Sequence, residues 1–211
     1  MSRRWPLLAG LALLGAVWLG PLPQLAAQRF AAHMTMHVVV VAIAAPLLAL
    51  GLGGARIDPV RRWPAAFQPL LVSVIELVVV WGWHAPGLHQ LSRHHGWAMV
   101  LEQGSFLAVG LALWLSAFGG DVALRDRRRP AGVFALLMTS MHMTLLGVLL
   151  ALAPRPLFGH DAIADQQLGG VLMLAAGGTS YLAGGLYLLA GLLRLKPPVE
   201  TDPGCRGSEP P

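Results

Sequence analysis

The stretch Phe30–Leu50, FAAHMTMHVVVVAIAAPLLAL, decides the fold. It holds no Asp, Glu, Lys or Arg, and its length matches the roughly 20 residues that cross a bilayer as a helix. It opens on His33-Met34-Thr35-Met36-His37. Ionisable groups are expensive in lipid, so a histidine pair at the head of a membrane helix points to function. Histidine and methionine together form the donor set of copper, above all Cu(I), because imidazole and thioether are softer than carboxylate or water. A second stretch of this character, Met138-Thr139-Ser140-Met141-His142-Met143, lies in another apolar run.

The composition agrees. Of 211 residues, 55% are hydrophobic and 12% charged, against roughly 25% charged in a soluble globular protein. This predicts an integral membrane protein in contact with lipid. The net charge of +5 then serves orientation in loops, and no nucleic-acid partner is expected. The one cysteine, Cys205, excludes an intramolecular disulfide and a structural zinc–thiolate site.

Six spans are predicted, near residues 5–27, 30–50, 69–84, 96–118, 131–153 and 166–195. Proline and glycine punctuate their ends: Pro21 and Pro23, Gly51 to Gly54, Pro86-Gly87, Gly119-Gly120, Pro154 and Pro156. The reading is an all-α, polytopic membrane bundle of about six transmembrane helices. Residues 1–28 form a first transmembrane helix, with a cleavable signal peptide as the alternative. Retention is favoured because Leu25 departs from a small-residue cleavage site. Residues 29–196 form a five-helix core, and 197–211 a disordered cytoplasmic tail. With the N-terminus inside, twelve Arg and Lys fall on the cytoplasmic side and only Arg29, Arg93 and Arg155 outside. That asymmetry predicts an N-in, C-in protein of the bacterial inner membrane.

This topology gathers the histidines. His33 and His37 fall in the outer half of span 2, and His84 at the outer end of span 3. His89, His94, His95 and His160 fall in outer loops. Only His142 lies near the midplane. Helical spacing puts His33, Met36 and His37 on one face, and likewise His95, Met99 and Glu102. Glu76 and His84 lie on one stripe. Met138, Met141 and His142 repeat the pattern, and Asp165-Gln166-Gln167 opens span 6 on the same side.

The candidate metal ligands are therefore His33, His37, Met36, His142 and Met141. Glu76, His84, His95, Met99, Glu102, Asp165 and Gln166 form a supporting polar layer. A carboxylate within a span needs a partner, which singles out Glu76 and Glu102. Met138, Met143 and Met173 read as packing, and His89, His94 and His160 as solvated loop residues. Ser73, Ser105, Thr139 and Ser140 read as helix-to-helix hydrogen bonders. In span 6, Gly170, Gly177, Gly184 and Gly191 recur every seven residues and predict a close-packed helix seam.

Four motifs resemble the CtaG-type cytochrome c oxidase assembly family, linked to caa3 oxidases. They are His33-Met34-Thr35-Met36-His37 with Ala45-Pro46-Leu47-Leu48 and Gly51; Trp83-His84-Ala85-Pro86 with Leu88; His95 followed by Glu102, Phe106-Leu107, Gly110 and Trp114; and Asp165-Gln166-Gln167-Leu168-Gly169-Gly170 ending in Met173. The likeness covers about residues 30 to 185. Two positions depart from it. Gln103 stands where the family often has histidine, and Leu174 where it commonly has tryptophan.

The resemblance implies help in building a haem-copper cytochrome c oxidase, at a copper-insertion step, and not catalysis of a reaction of its own. It implies oxidase subunits as partners, with periplasmic copper chaperones as a source of Cu(I). Two other readings compete. One is a b-type cytochrome with haem held between His37 and His142. The other is a copper permease, which would need a polar path through inner halves that read as apolar.

Overall fold

The computed structural model describes residues 4–158 and 162–194, and all its regular structure is helical. His160 and the tail from residue 197, with Cys205, lie outside the described residues. Among the described residues four helices are long and apolar enough to cross a membrane, or up to six spans if each of two bent helix pairs counts as one.

The first pair is α1 (Arg4–Leu19) and α2 (Leu22–Gln28), bent by 50° at the break around Pro21. The second span runs from Phe30 to Leu52. It comprises α3 (Phe30–Val38), a π-helical turn at Val39–Ala44 and α4 (Ala45–Leu52). Pro46 explains the turn. A proline has no N–H, and its ring clashes with the carbonyl one turn back. Widening the turn relieves this and frees carbonyls. Ser180 Oγ donates to the Ala42 carbonyl at 2.6 Å, and Trp114 Nε1 to that of Val41 at 3.3 Å.

A short connection carries α5 (Pro59–Arg62) and a 3₁₀ turn at Pro64–Phe67. The second bent pair follows, α6 (Pro69–Trp83) and α7 (Pro86–His94), at 71°. Residues 86–94 are thus helical where a loop was expected. Ala85 is extended, as a residue before proline prefers, and Pro86 starts the helix with its φ already set.

The span α8 (Gly96–Phe118) matches expectation. The next helix, α9 (Val122–Ala151), begins nine residues before the predicted 131. Asp121 caps it by accepting from Leu124 N at 2.8 Å, and the arginines after it are good helix formers. Pro130 is accommodated inside the helix. The last span, Ile163–Arg194, comprises α10 (Ile163–Leu172), a second π turn at Met173–Gly178 and α11 (Thr179–Arg194).

The glycine seam packs inside the bundle. A Cβ on Gly170 would meet Ala151 N at 2.5 Å, and one on Gly184 would meet the Trp114 ring at 2.6 Å. The expected hydroxyl contacts between helices form at Ser73–Thr139 (3.3 Å) and from Ser140 to the Gly178 carbonyl (2.8 Å).

The two ends of the bundle differ. One end carries Arg56, Arg61, Arg62, Arg125, Arg127, Arg128, Arg129 and Arg194. It is tied together by Asp58, a buried carboxylate that accepts from Gly54 N (2.6 Å), Gly120 N (2.7 Å) and Val60 N (2.9 Å). Gly54 and Gly120 adopt φ of 73° and 83°, open to glycine without strain. The other end, the histidine end, holds α2, α7 and the connection after Ala151.

Candidate metal centre

At the histidine end α3 meets α8. His33 and His37, one turn apart on α3, face Glu102 of α8, and all three are buried. His33 Nε2 lies 3.3 Å from Glu102 Oε1 and 3.1 Å from Oε2, and His37 Nε2 lies 3.5 Å from Oε1. One nitrogen from each ring and one carboxylate oxygen all lie within 4.8 Å of one another.

This set suits an ion. A tetrahedral metal with bonds of about 2.0–2.1 Å sets its donors about 3.3–3.4 Å apart. His33 Nδ1 is buried without a hydrogen-bond partner, and His37 Nε2 and Glu102 Oε2, although in the close His–Glu contacts above, make no aligned hydrogen bond. Native proteins rarely leave such groups unsatisfied, so each asks for a reason. Two imidazoles and a carboxylate hold zinc, iron or copper, and the carboxylate supplies negative charge where little water screens it.

Further imidazoles continue the cluster. His89 of α7 is fully buried between Phe30 and Phe158, with its ring 4.7 Å from His33 and neither nitrogen hydrogen-bonded. This corrects its reading as a solvated loop residue. The surrounding Gln90, Arg93 and His94 obscured a helix with a single buried face. His94 and His95 are exposed, the first as expected. His84 ends α6 and stands 5.9 Å, ring to ring, from His37. Gln103 donates to His37 Nδ1 at 2.8 Å, so the residue that departs from the resemblance orients a proposed ligand.

Other expected members are elsewhere. Adjacent helical residues point about 100° apart. Met36 accordingly lines a neighbouring groove with Met99, Trp18 and Gln103, and Met141 is 66% exposed on the bundle surface. His95 is the exposed residue just before α8, with its Nδ1 3.3 Å from the Leu91 carbonyl. Asp165 serves α3 by accepting from Phe30 N at 2.6 Å. Gln166 accepts from Leu157 N at 2.6 Å and so ties down the connection after α9.

Glu76 and His142 form a separate buried pair. His142 Nε2 is 3.1 Å from Glu76 Oε2, and Tyr181 donates to Glu76 Oε1 at 2.9 Å. Tyr181, one of two tyrosines in the glycine-rich α11, gave no signal in the sequence. His142 thus faces a carboxylate with the nitrogen that a haem pair with His37 would use.

A helical membrane bundle with a buried His–His–Glu cluster at one end is the class defined by these observations. The chain belongs to the cytochrome c oxidase caa3 assembly factor family (Caa3_CtaG), whose family model matches residues 1–195. Neither a curated protein nor a solved structure matches it.

Proposed function

We propose that this assembly factor holds a copper ion at His33, His37 and Glu102 on its way into the oxidase. The observation that carries the reading is the buried cluster itself, three ligand atoms within 4.8 Å, with no aligned hydrogen bond at His37 Nε2 or Glu102 Oε2. The family supplies the context, because the product it helps to build is a cytochrome c oxidase, a haem-copper enzyme. Glu102 takes the place first given to Met36 and Met141. Imidazole suits copper in either state, and the carboxylate offsets the charge of the ion.

The arginine asymmetry supports an N-in, C-in orientation in the bacterial inner membrane, with the histidine end outward. In that orientation periplasmic copper chaperones supply the ion and oxidase subunits receive it. The protein acts as a metal-holding chaperone and carries out no reaction of its own.

The test is the metal content and spectrum of the purified protein. The parent should hold copper and show no Soret band. The His33→Ala/His37→Ala variant should lose that copper while staying in the membrane. Unchanged copper content in the double variant would return both histidines to a purely structural role, and a Soret band would favour a cytochrome. In the cell, deletion should remove oxidase activity and oxidase copper while the subunits are still made.

A further inference from the structure

Below the His–His–Glu cluster lies a cavity of about 10 Å³, lined among others by Met34, His37, His84, Phe106, Met143 and Met173. A space of this size admits one water-sized or ion-sized occupant, far less than an organic cofactor needs. His84 is 7% exposed, and its Nδ1 is fixed on the Val80 carbonyl at 2.6 Å. A neutral ring donating there carries its lone pair on Nε2, and Nε2 is buried without a partner.

The backbone around the cavity is unusual. Both π turns reach it, the first through Val41 and the second through Met173 and Gly177. Such turns are rare and concentrate at functional sites. A Cβ on Gly177 would lie 3.9 Å from Met143 Cβ and 4.0 Å from Met173 Cγ, so this glycine sits between the two methionines.

We propose that this cavity is a second, deeper metal position that takes Cu(I) and rejects divalent ions. It rests on the reading of the first site and extends it. The donors are an imidazole and thioethers, a soft set. No carboxylate lines the cavity, so a divalent ion would be buried with its charge uncompensated, at greater cost than a monovalent one. His37 borders both positions, which makes it the shared imidazole past which Cu(I) moves inward without change of oxidation state.

The experiment is an anaerobic titration of the full chain in detergent with Cu(I), against a chromophoric Cu(I) chelator, read also by X-ray absorption. The parent should bind two equivalents of Cu(I), with copper–sulfur scattering in one of them, and one equivalent of Zn(II). The Met34→Leu/Met143→Leu/Met173→Leu variant nearly conserves volume and should fold. It should lose the sulfur scattering and weaken one equivalent at least tenfold, while still binding Zn(II). The His33→Ala/Glu102→Gln variant should keep the sulfur-ligated equivalent. A parent that binds a single equivalent, by nitrogen and oxygen only and lost in His33→Ala/Glu102→Gln, would overturn the deep site and leave the first standing. Sulfur scattering that survives in the triple variant would also overturn it. A parent that binds no copper would overturn both.

Discussion

The side-chain amide of Gln103 meets Nδ1 of His37 at 2.8 Å, while Trp18 Nε1 donates to the amide oxygen at 3.4 Å. An amide can serve either tautomer of its neighbour. Its NH₂ donates to a bare Nδ1. Turned over, its oxygen accepts from Nδ1–H and leaves the Nε2 lone pair free for an ion. Residues that orient a ligand in this way typically govern metal affinity by 10- to 100-fold. Gln103→Leu should therefore weaken Cu(I) binding by roughly that factor without changing the number of ions bound, measured by chelator competition.

Glu102→Gln preserves shape and removes charge. It should weaken Zn(II) binding at the first site at least roughly tenfold, about 1.4 kcal/mol. It should also lower oxidase assembly when copper is limiting. Parent-like assembly at limiting copper would make the charge of Glu102 dispensable.

Tyr181→Phe removes one hydrogen bond to the Glu76 carboxylate and leaves the stacked ring against Trp114. The expected loss is about 1.5–3 kcal/mol of stability, seen as a lower unfolding midpoint in detergent. Copper content should not change, because Glu76 and His142 stand apart from the His33 cluster.

Asp58→Ala strips three backbone N–H groups of their acceptor at the arginine-rich end. A cost of about 3 kcal/mol or more is expected, with Asp58→Asn milder because its carbonyl still accepts. Protease sensitivity of residues 53–58 would report the loosened connection.

A reporter fused after Gly120 should be active only in the cytoplasm if the positive-inside reading holds. Activity on the opposite side would reverse the orientation and place the cluster inward.

The spans were legible because apolar runs end at glycine and proline, and α8 is the clearest case. Boundaries failed where polar residues continue a helix. The arginines before Pro130 looked like a loop yet form the first turns of α9. The site was half legible. His33 and His37 announce themselves by cost and spacing, and Glu102 by being a carboxylate in a span. Their meeting was not readable. Periodicity gives the face of one helix and says nothing of which helix lies opposite, so Glu102 was grouped with His95 and Met99 on its own helix. Met141 shares with His142 the three–four spacing from Met138, but neighbouring residues diverge around the helix axis and Met141 turns to the surface. Asp58-Pro59 marks a helix start, but the bonds of Asp58 to Gly54 and Gly120, like the cross-helix bond of Tyr181, leave no local pattern.

The 71° turn between α6 and α7 lays α7 across the histidine end, with His89 and Ser92 underneath and Gln90 gripping the Phe158 carbonyl at 2.6 Å. A ligand set roofed in this way exchanges its occupant only as fast as the roof lifts. On the proposed metal-holding reading, residence time would be set by the bend at Ala85–Pro86 and would be separate from the strength of any bond to the ion. A carrier built in this way would hold its cargo with few donors and still release it promptly once a docking partner drew the roof aside.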